Sequence, residues 1–386
     1  MNSRERFYEV MNFNTSVRTL DWEFGYWYQT VEQWYKEGLI KKYGIKGDWG
    51  KADPVAAQGV AWPMLGIPKD YDVEEQLNLD KGFERIDINQ DIYPPFESEI
   101  IDDLGDEVTI TGAFGETMIK KKDNSTIAKI IKGVVSDDKD WEKLKEERLQ
   151  INYDKRKPDN WDELLKKYKN RDFPLSISGV PIGFFGLLRF LFGEPQIYYI
   201  YYDNPKLIHK MNSYFCDLWI NLFSEVLSEV DADCAHFWED MSGKQGSLIS
   251  KECFKEFMTP YYKRIIGFLK SQGIKYFIVD TDGNPDELIP LFIECGINGL
   301  YPFEVQAGAD IIKTREKYPE FRILGGLDKR VLAESKERID EELDNKLPFM
   351  LKKGGFIPYM DHIVPPNVPW ENFKYYREKM KKYLNK

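Results

Sequence analysis

The chain has 386 residues, of which 42% are hydrophobic and 15% aromatic, so it can bury a large core and is too apolar for a disordered protein. Its formal net charge of −11 repels a nucleic acid backbone, and no dense basic run offsets that repulsion. No stretch approaches the ~18 uninterrupted apolar residues of a membrane span, and the charged start MNSRERFYEVMNF is unlike a secretory signal. We therefore expect a globular cytoplasmic protein that binds neither nucleic acid nor membrane.

The first half of the chain contains three segments with the apolar character of strands. They are RTLDWEFGYW (18–27), FERIDIN (83–89) and DFPLSISGVPIGFFGLLRFLFG (172–193). Between the last two, residues 97–170 combine DEVTITGAFGETMIKKK, which alternates like a hairpin, with the charged run DDKDWEKLKEERLQ. We interpret 97–170 as an insertion over the open end of the fold, within a single domain that spans residues 1–386.

The second half repeats one unit, which consists of a short apolar strand, a turn and a helix with one charged face. The predicted strands are 231–238, 274–280, 297–303, 321–326 and 354–360. The predicted helices are 250–272, 285–295, 308–318 and 335–353, with Ser250 and Asp286 near starts and Gly273, Gly296 and Gly354 at ends. This alternation predicts a parallel α/β sheet, doubly wound or closed, and the eight predicted strands favour a (β/α)8 TIM barrel.

Acidic residues follow many of these strands. They are Glu23, Glu239, Asp240, Asp280, Asp282, Glu304, Asp328 and Asp361. The carboxyl ends of parallel strands meet at one mouth, whose loops carry the chemistry. So many carboxylates in one cavity would repel one another and raise each other's pKa, and we therefore expect a cation among them.

Two acid pairs stand out within that set. Asp280 and Asp282 lie two residues apart at a strand end, a spacing that puts both side chains on one side, where they can share an ion. The alternative is a turn at Asp282-Gly283-Asn284 in which one Asp caps the next helix. Glu239 and Asp240 precede MSGKQG, a loop that can close on a ligand.

His362 is one of 3 histidines and follows Asp361 after a predicted strand. A neutral imidazole there suits a metal ligand or a general acid or base, and a solvated loop histidine is the alternative. We expect His236 to be a buried histidine with satisfied hydrogen bonds and His209 to lie on a helix surface.

Aromatic residues near the same strand ends are too numerous for core packing alone. Those that can line an apolar pocket are Trp22, Tyr26, Trp27, Tyr28, Trp238, Tyr261, Tyr301 and Tyr359. The sequence has no GxxxxGK(S/T), no strand-associated GxGxxG and no GxSxG, so it lacks the marks of nucleotide binding, dinucleotide binding and serine hydrolases.

Several segments together resemble the uroporphyrinogen decarboxylase superfamily, which includes that decarboxylase and the corrinoid-linked methyltransferases. They are SRERFYEVMNF, PLSISGVPIGFFGLLRFLFG, HFWEDMSG, FMTPYYKRII, VDTDGNPDELIPLFIECGINGLYPFE, ILGGLDKRVL and GGFIPYMDHIVPPNVPWENF. The resemblance covers nearly the whole chain. It implies a (β/α)8 barrel with its site in the deep mouth at the carboxyl ends of the strands.

The resemblance is closer to the methyltransferase branch. The decarboxylase has an arginine-rich RQAGRY-like stretch that holds substrate carboxylates, whereas this chain has EFGYWYQTVEQW there, with Glu23 and no arginine. The thiol methyltransferases hold zinc with His-x-Cys-Gly-Asn and a later Cys, and the matching positions here are Asp280-Thr281-Asp282-Gly283-Asn284 and His362. The resemblance therefore implies an oxygen-rich zinc site whose ligands are Asp280, Asp282, Glu304 and His362.

By the same resemblance, the activity is O-demethylation, in which a methyl group passes from a methoxylated aromatic substrate to the cobalt of a corrinoid. Zinc would polarise the ether oxygen, assisted by the catalytic acids Glu239, Asp240 and Asp282. The implied substrate-binding residues are Trp22, Glu23, Tyr26, Trp238, Tyr301 and Tyr359. The cobalamin-holding motif DxHxxG is absent, so a separate corrinoid protein must be the partner, with the insertion as its docking face.

Two other functions fit the sequence. One is a metal-free lyase or decarboxylase that acts on a small acid, with His362 and Asp282 as acid and base. The other is a non-catalytic barrel that binds a ligand without turnover. The oligomeric state stays open, a homodimer included.

Overall fold

The structure is a computed structural model that describes residues 1–44, 60–61, 71–123, 126 and 128–385. The elements of the first half are α1 (Ser3–Met11), β1 (Tyr26–Trp27), α2 (Tyr28–Lys36), β2 (Val60–Ala61), α3 (Tyr71–Leu77), β3 (Glu84–Arg85), β4 (Ile100–Asp103), β5 (Glu107–Thr111), β6 (Thr117–Lys121), β7 (Lys129–Lys132), α4 (Asp138–Arg148), α5 (Tyr153–Arg156) and α6 (Trp161–Lys169).

The elements of the second half alternate between strands and helices, as the sequence predicts. They are β8 (Leu175–Ser176), α7 (Gly186–Phe192), α8 (Gln196–Asp203), α9 (Pro205–Glu229), β9 (Ala235–Trp238), β10 (Ser242–Gly243), β11 (Gly246–Ser247), α10 (Lys251–Phe257), α11 (Thr259–Ser271), β12 (Phe277–Asp280), α12 (Ile289–Cys295), β13 (Gly299–Tyr301), α13 (Ile311–Lys317), β14 (Arg322–Leu324), α14 (Lys336–Lys353), β15 (Phe356–Ile357) and α15 (Trp370–Leu384).

A parallel sheet forms the centre of the molecule. Its strands run in the order β15-β14-β13-β12-β9, so all five strands predicted for the second half are present and pair in the predicted parallel sense. The pair β3–β8 is also parallel, and a bridge between Ser176 and Cys234 joins it to the β9 edge. The α/β class with parallel strands is therefore confirmed.

The predicted first strand, 18–27, has a different structure. Only Tyr26–Trp27 is a regular strand, and it pairs antiparallel with β2. The preceding residues lie between the two ends of the sheet: the Thr19 hydroxyl donates to Phe356 O at 2.6 Å, and Asp80 N donates to Asp21 O at 3.1 Å. Among the described residues, no ladder of paired strands runs through this segment to close the ring.

An aromatic cluster fills the space that the sheet encloses. Ile278 of β12 and Tyr276, which comes just before this strand, belong to this inner cluster, whereas Phe277 and Val279 of β12 belong to the outer core, as expected because side chains alternate along a strand. Phe7 of α1 packs against Phe83 and Tyr276, with ring centroids 5.1 Å and 5.4 Å away. The helix α1 therefore covers the end of the sheet opposite to the strand carboxyl ends.

Three predicted elements needed correction. The predicted helix 250–272 is two helices, α10 and α11, because Pro260 lies in the first turn of α11 and has no N–H to continue α10. The predicted helix 285–295 begins only at Ile289. The segment 172–193 is a strand only at Leu175–Ser176, and its apolar second half forms α7, a short buried run that periodicity cannot assign.

The stretch 97–170 contains two different structures. Its first part is an antiparallel sheet of β4-β5-β6-β7, whose apolar face packs against Phe190 of α7. This sheet reaches α7 through the backbone as well, since Val135 N donates to Leu191 O at 2.9 Å. Its second part holds α4, whose Trp141 packs on Tyr214 of α9 with ring centroids 5.6 Å apart.

Two further observations bear on the setting of the protein. Among the helices in the described part, none is long and apolar enough to cross a membrane. All four cysteines are buried and carry free thiols.

Candidate active site

The acids at the ends of β9 and β12 meet at the carboxyl edge of the sheet. In the register of the sheet, Asp280 lies beside both Trp238 and Tyr301. A backbone hydrogen bond joins the ends of β9 and β12, because Glu239 N donates to Asp280 O at 2.9 Å. Asp240 follows with a positive φ of 42°, a conformation that is uncommon for a residue other than glycine. We call Asp240, Asp280 and Asp282 the mouth acids.

Asp282 forms an ion pair with His362. The carboxylate Oδ1 lies 3.3 Å from the imidazole Nε2, with the Asp282 side chain 35% exposed and that of His362 11% exposed. Burial acts to raise the pKa of Asp282, but His362, Lys329 and Arg189 together hold that pKa below its ordinary value. Burial likewise acts to lower the pKa of His362, but the Asp282 carboxylate, with a smaller contribution from Glu304, raises it above its ordinary value. Each member therefore favours the charged form of the other.

Asp240 is paired with Arg189 of α7, which also donates from Nε to Glu194 at 2.7 Å. Burial, and then the neighbouring carboxylate of Asp282, raise the pKa of Asp240 to about 6, although Arg189 opposes the shift. Arg189 thus contributes a positive charge to the group of mouth acids.

Asp280 lies deepest of the mouth acids and is only 5% exposed. Burial raises the pKa of Asp280 well above its ordinary value, and the carboxylates of Asp282 and Asp240 add to the shift. Like charges held close together in a buried site cannot all ionise, so one of them keeps its proton. The surroundings therefore favour the proton on Asp280 rather than on Asp282.

Three polar groups around Asp280 lack a well-aligned hydrogen bond to any residue that the structure describes. They are the Tyr359 hydroxyl, the Tyr301 hydroxyl and His236 Nε2. Tyr301 lies next to Asp280, and all three side chains are at most 2% exposed. Burial lowers the pKa of His236 to about 3, so the ring is neutral. Buried polar groups are nearly always hydrogen-bonded, so these groups are suited to a bound molecule.

Aromatic rings line the same space. The Phe24 ring is stacked on Tyr359 with centroids 6.1 Å apart, and its centroid lies 6.0 Å from that of Tyr301 and 5.1 Å from that of His362. The His236 ring lies 5.5 Å from Tyr301. The inner part of the site is therefore aromatic.

Three other strand-end acids stabilise loops at the mouth. Glu304 accepts from Gly283 N at 2.8 Å. Asp361 accepts from Val305 N at 2.9 Å and from Lys329 N at 3.1 Å, and Asp328 pairs with Arg330 at 2.6 Å. Six of the eight predicted strand-end acids lie at this edge of the sheet, and several of them accept hydrogen bonds from backbone groups.

Glu239 and Glu23 lie outside the group of mouth acids; we call them the satisfied acids. Glu239 accepts from the backbone N–H groups of Phe184, Phe185 and Gly186 at 2.7–2.8 Å and from the hydroxyl of Tyr262. Burial raises the pKa of Glu239 to about 7, and the four donors act against that shift. These contacts place the Glu239 carboxylate under the start of α7 rather than beside Asp280.

The contact between Glu239 and the start of α7 is possible because the loop before α7 lies very close to the end of β9. A Cβ atom on Gly183 would lie 2.0 Å from Trp238 O, so only glycine fits there. Trp238 itself stacks on Phe190 of α7, with ring centroids 5.3 Å apart.

The predicted substrate contacts Glu23, Trp22 and Tyr26 are also placed elsewhere. Glu23 accepts from Phe24 N and Met360 N at 3.0 Å and pairs with Arg377 at 3.1 Å. Trp22 stacks on Phe7 in the inner cluster, and Tyr26 packs against Trp34 and Phe373 in the outer core; their roles as substrate contacts are not supported by this placement.

The predicted zinc ligands do not form a zinc site in this arrangement. Among the residues described, no group of three or more His, Cys, Asp or Glu side chains is placed to hold a metal ion. His362 Nε2 is engaged by Asp282, and one oxygen of Glu304 by Gly283 N. The protein itself supplies the cations expected among the acids, through Arg189, His362 and Lys329, whose charges all act on Asp282.

Comparison with known proteins decides the family. The model of the uroporphyrinogen decarboxylase (URO-D) family matches residues 163–383, which is more than half of the chain. The chain belongs to the URO-D family. No curated protein matches the sequence.

URO-D family membership agrees with the fold and with enzymatic activity. Members of this family are enzymes, and their fold is a TIM barrel. The matched segment runs from α6 to α15 and contains the mouth acids, Arg189 and His362, whereas Phe24 lies before it.

Sequence reasoning missed four residues of this URO-D site: Phe24, Arg189, Lys329 and the unpaired nitrogen of His236. Arg189 had a detectable signal, because it is the only charge in the apolar run GFFGLLRFLFG. His236 is buried, as expected, but its Nε2 has no hydrogen-bond partner in the described part of the chain, contrary to the prediction of a satisfied histidine. No local sequence pattern distinguishes a buried histidine whose ring nitrogens are hydrogen-bonded from one that has an unpaired nitrogen.

Proposed function

We propose that this URO-D family protein is a methyltransferase that removes the methyl group from a methoxylated aromatic substrate and passes it to the cobalt of a separate corrinoid protein. The observation that carries the proposal is the position of Asp280, which is buried next to Tyr301 and Tyr359 among aromatic rings, where burial and two neighbouring carboxylates raise its pKa well above its ordinary value. A neutral carboxylic acid in such a pocket can donate a proton to an oxygen atom that leaves.

The chemistry of the pocket supports an uncharged aromatic ether at its inner end. Phe24 and Tyr359 offer ring faces, while Tyr359 and His236 offer polar groups that have no hydrogen-bond partner among the described residues. A substrate with many carboxylates would meet the mouth acids and no arginine at this depth, which disfavours a porphyrinogen substrate.

The transfer requires an acid at the leaving oxygen. The bond between the methyl carbon and the ether oxygen breaks, and its electron pair stays on the oxygen, while the electron pair of the reduced cobalt forms the new bond to the methyl group. The proton of Asp280 neutralises the oxygen and yields a phenol. Asp280 then regains a proton from solvent, which the nearby Asp282 and Asp240 carboxylates favour.

No step is assigned to zinc, since the candidate ligands do not form a zinc site as they are arranged. Asp282 and His362 instead form an ion pair above Asp280. The Asp282 carboxylate of this pair raises the pKa of Asp280 and so helps to hold its proton.

We also infer that the strands close into an eight-stranded (β/α)8 barrel. The segment around Thr19 and Asp21 would be the strand between β15 and β3, because it hydrogen-bonds to Phe356 on one side and to Asp80 on the other. The antiparallel sheet β4–β7 beside α7 would form one side of the mouth. Its exposed residues Ile100 and Ile101 offer an apolar face to the corrinoid protein.

A lyase that acts on a small acid is the second candidate. The Asp282–His362 ion pair favours it, because a paired imidazole suits proton transfer. This candidate predicts turnover of a small acid without a corrinoid protein.

The proposal is tested with Asp280→Asn. Because burial and the neighbouring carboxylates favour the neutral form of Asp280, asparagine matches that form in size and charge but cannot donate an acidic proton. We expect methyl transfer to fall by about 10²–10⁴-fold with little change in stability. The measurement is the visible spectrum of a reduced corrinoid protein incubated with the enzyme and methoxylated aromatics.

The matched control is Asp310→Asn, a helix cap of α13 that accepts from Ile312 N and Lys313 N, where asparagine is an equivalent cap. It should keep full activity. An Asp280→Asn variant as active as the native protein would disprove the acid role. Failure of the native protein on a broad panel of methyl ethers, together with turnover of a small acid, would favour the lyase.

A further inference from the structure

The loop after β14 carries a lysine into the mouth. Gly325 and Gly326 both have positive φ, and the bridge between Leu327 and Met360 then holds this loop against the one that carries His362. Lys329 follows, with its backbone N–H bonded to Asp361 Oδ1 at 3.1 Å. The Lys329 side chain is half-buried at this position.

The charge of Lys329 is directed at the ion pair. It lowers the pKa of Asp282, although burial and His362 have larger effects on that carboxyl. It also acts to lower the pKa of His362 and so opposes the protonation of that ring. Its side chain is therefore close enough to the Asp282–His362 pair to influence both members.

Lys329 differs from its neighbours because it has no ion-pair partner in the part of the chain that the structure describes. The next residue, Arg330, pairs with Asp328 at 2.6 Å, and Lys346 pairs with Glu342 at 2.6 Å. Arg189 pairs with both Asp240 and Glu194. A half-buried ammonium group with all three donors free is suited to bind an anion that enters the mouth.

We propose that Lys329 is a specificity-determining residue that binds a carboxylate on the substrate. This inference rests on the proposed function and deepens it, because it makes the substrates methoxylated aromatic acids. The ring would pack against the edge of the stacked Phe24 and Tyr359 rings, with its methoxy group near Asp280 and its carboxylate at the rim. Asp280 and Lys329 would thus contact opposite ends of the same substrate molecule.

The competing explanation is that Lys329 only neutralises the acids around it. Asp282 and Asp361 are both within reach of its charge. In that case its loss would disturb the site for every ligand alike. A pair of ligands that differ only in charge separates the two explanations.

The experiment measures binding of 4-methoxybenzoate and 4-methoxybenzamide to the full-length protein by isothermal titration calorimetry at pH 7.5. The native protein should bind the benzoate more tightly, and added salt should weaken that preference. Lys329→Gln should weaken the benzoate about tenfold or more and leave the benzamide within twofold. Lys329→Arg should retain most of the preference, and Arg330→Gln should change neither affinity.

Several results would overturn the inference. They are equal affinity of the native protein for both probes, an equal loss for both in Lys329→Gln, or the same loss in Arg330→Gln. The salt dependence of the native protein provides a second measurement if Lys329→Gln does not fold. Binding needs no methyl transfer, so charge-selective binding without methylation of the corrinoid would reject the proposed function and support the role of Lys329.

Discussion

The satisfied acids and Asp280, the deepest of the mouth acids, are all buried, yet they differ in the number of donors that surround them. Glu23 and Glu239 each accept several hydrogen bonds from fixed backbone or side-chain donors. Asp280 has only the nearby Tyr301 hydroxyl, and its charged form is disfavoured by two other acids. A buried acid whose acceptors are all used holds the structure together, whereas one whose acceptors are unused is available for chemistry.

The substitution expected to change the free energy of unfolding most is Arg377→Met, which tests the role of the satisfied acids. Arg377 pairs with Asp21 and Glu23 and is 1% exposed, so its loss leaves two carboxylates buried without their cation. We expect the free energy of unfolding to fall by about 3–5 kcal/mol, measured by urea denaturation. The control Arg330→Ala removes an ion pair whose arginine is 52% exposed, and it should cost at most about 1 kcal/mol. Equal losses in the two variants would contradict the comparison.

A pair of tyrosines sharpens the same contrast. The Tyr262 hydroxyl donates to Glu239, so Tyr262→Phe should cost about 1.5–3 kcal/mol of stability, as expected for a hydrogen bond to a charged group. The Tyr359 hydroxyl has no hydrogen-bond partner among the described residues, so Tyr359→Phe should leave stability unchanged within about 0.5 kcal/mol or raise it slightly. Thermal unfolding of both variants checks this, and a costly Tyr359→Phe would mean that its hydroxyl is already satisfied.

The smallest expected effect is the pH dependence contributed by His362. Because Asp282 raises the pKa of His362 above the ordinary value of 6.5, the folded protein holds this proton more tightly than the unfolded chain. The resulting stabilisation is complete below pH 6.5 and is lost as the pH rises through the raised pKa. Since Asp282 is 35% exposed, we expect less than about 1 kcal/mol.

The variant His362→Gln isolates this contribution. Urea unfolding of the native protein and the variant is compared at several pH values between 5.5 and 9, a range chosen with the ordinary histidine pKa of about 6.5 in mind. The stability difference should be largest at the acid end and should shrink as the pH rises. A difference that grows with pH would show that His362 is not paired as a cation.

Much of the fold could be predicted because its signals are local. The strands that end at Trp238, Asp280 and Tyr301 are short apolar runs, and Ser250 caps α10 where predicted, by accepting from Cys253 N. The helix break before Pro260 was missed, although proline is a local signal. The irregular segment that precedes Tyr26 was missed because its partners, Phe356 and Asp80, are far away along the chain.

The sequence by itself determined the alternation of strands and helices and the presence of acids where the strands end, because period and composition are properties of neighbouring residues. Only the tertiary structure decided which acids are satisfied. Glu23 meets its arginine 354 residues away, and Asp282 meets His362 from another loop, while Asp280 meets no cation of its own. The charge of a buried carboxyl depends on the donors and charges that packing brings to it, and those come from distant parts of the chain.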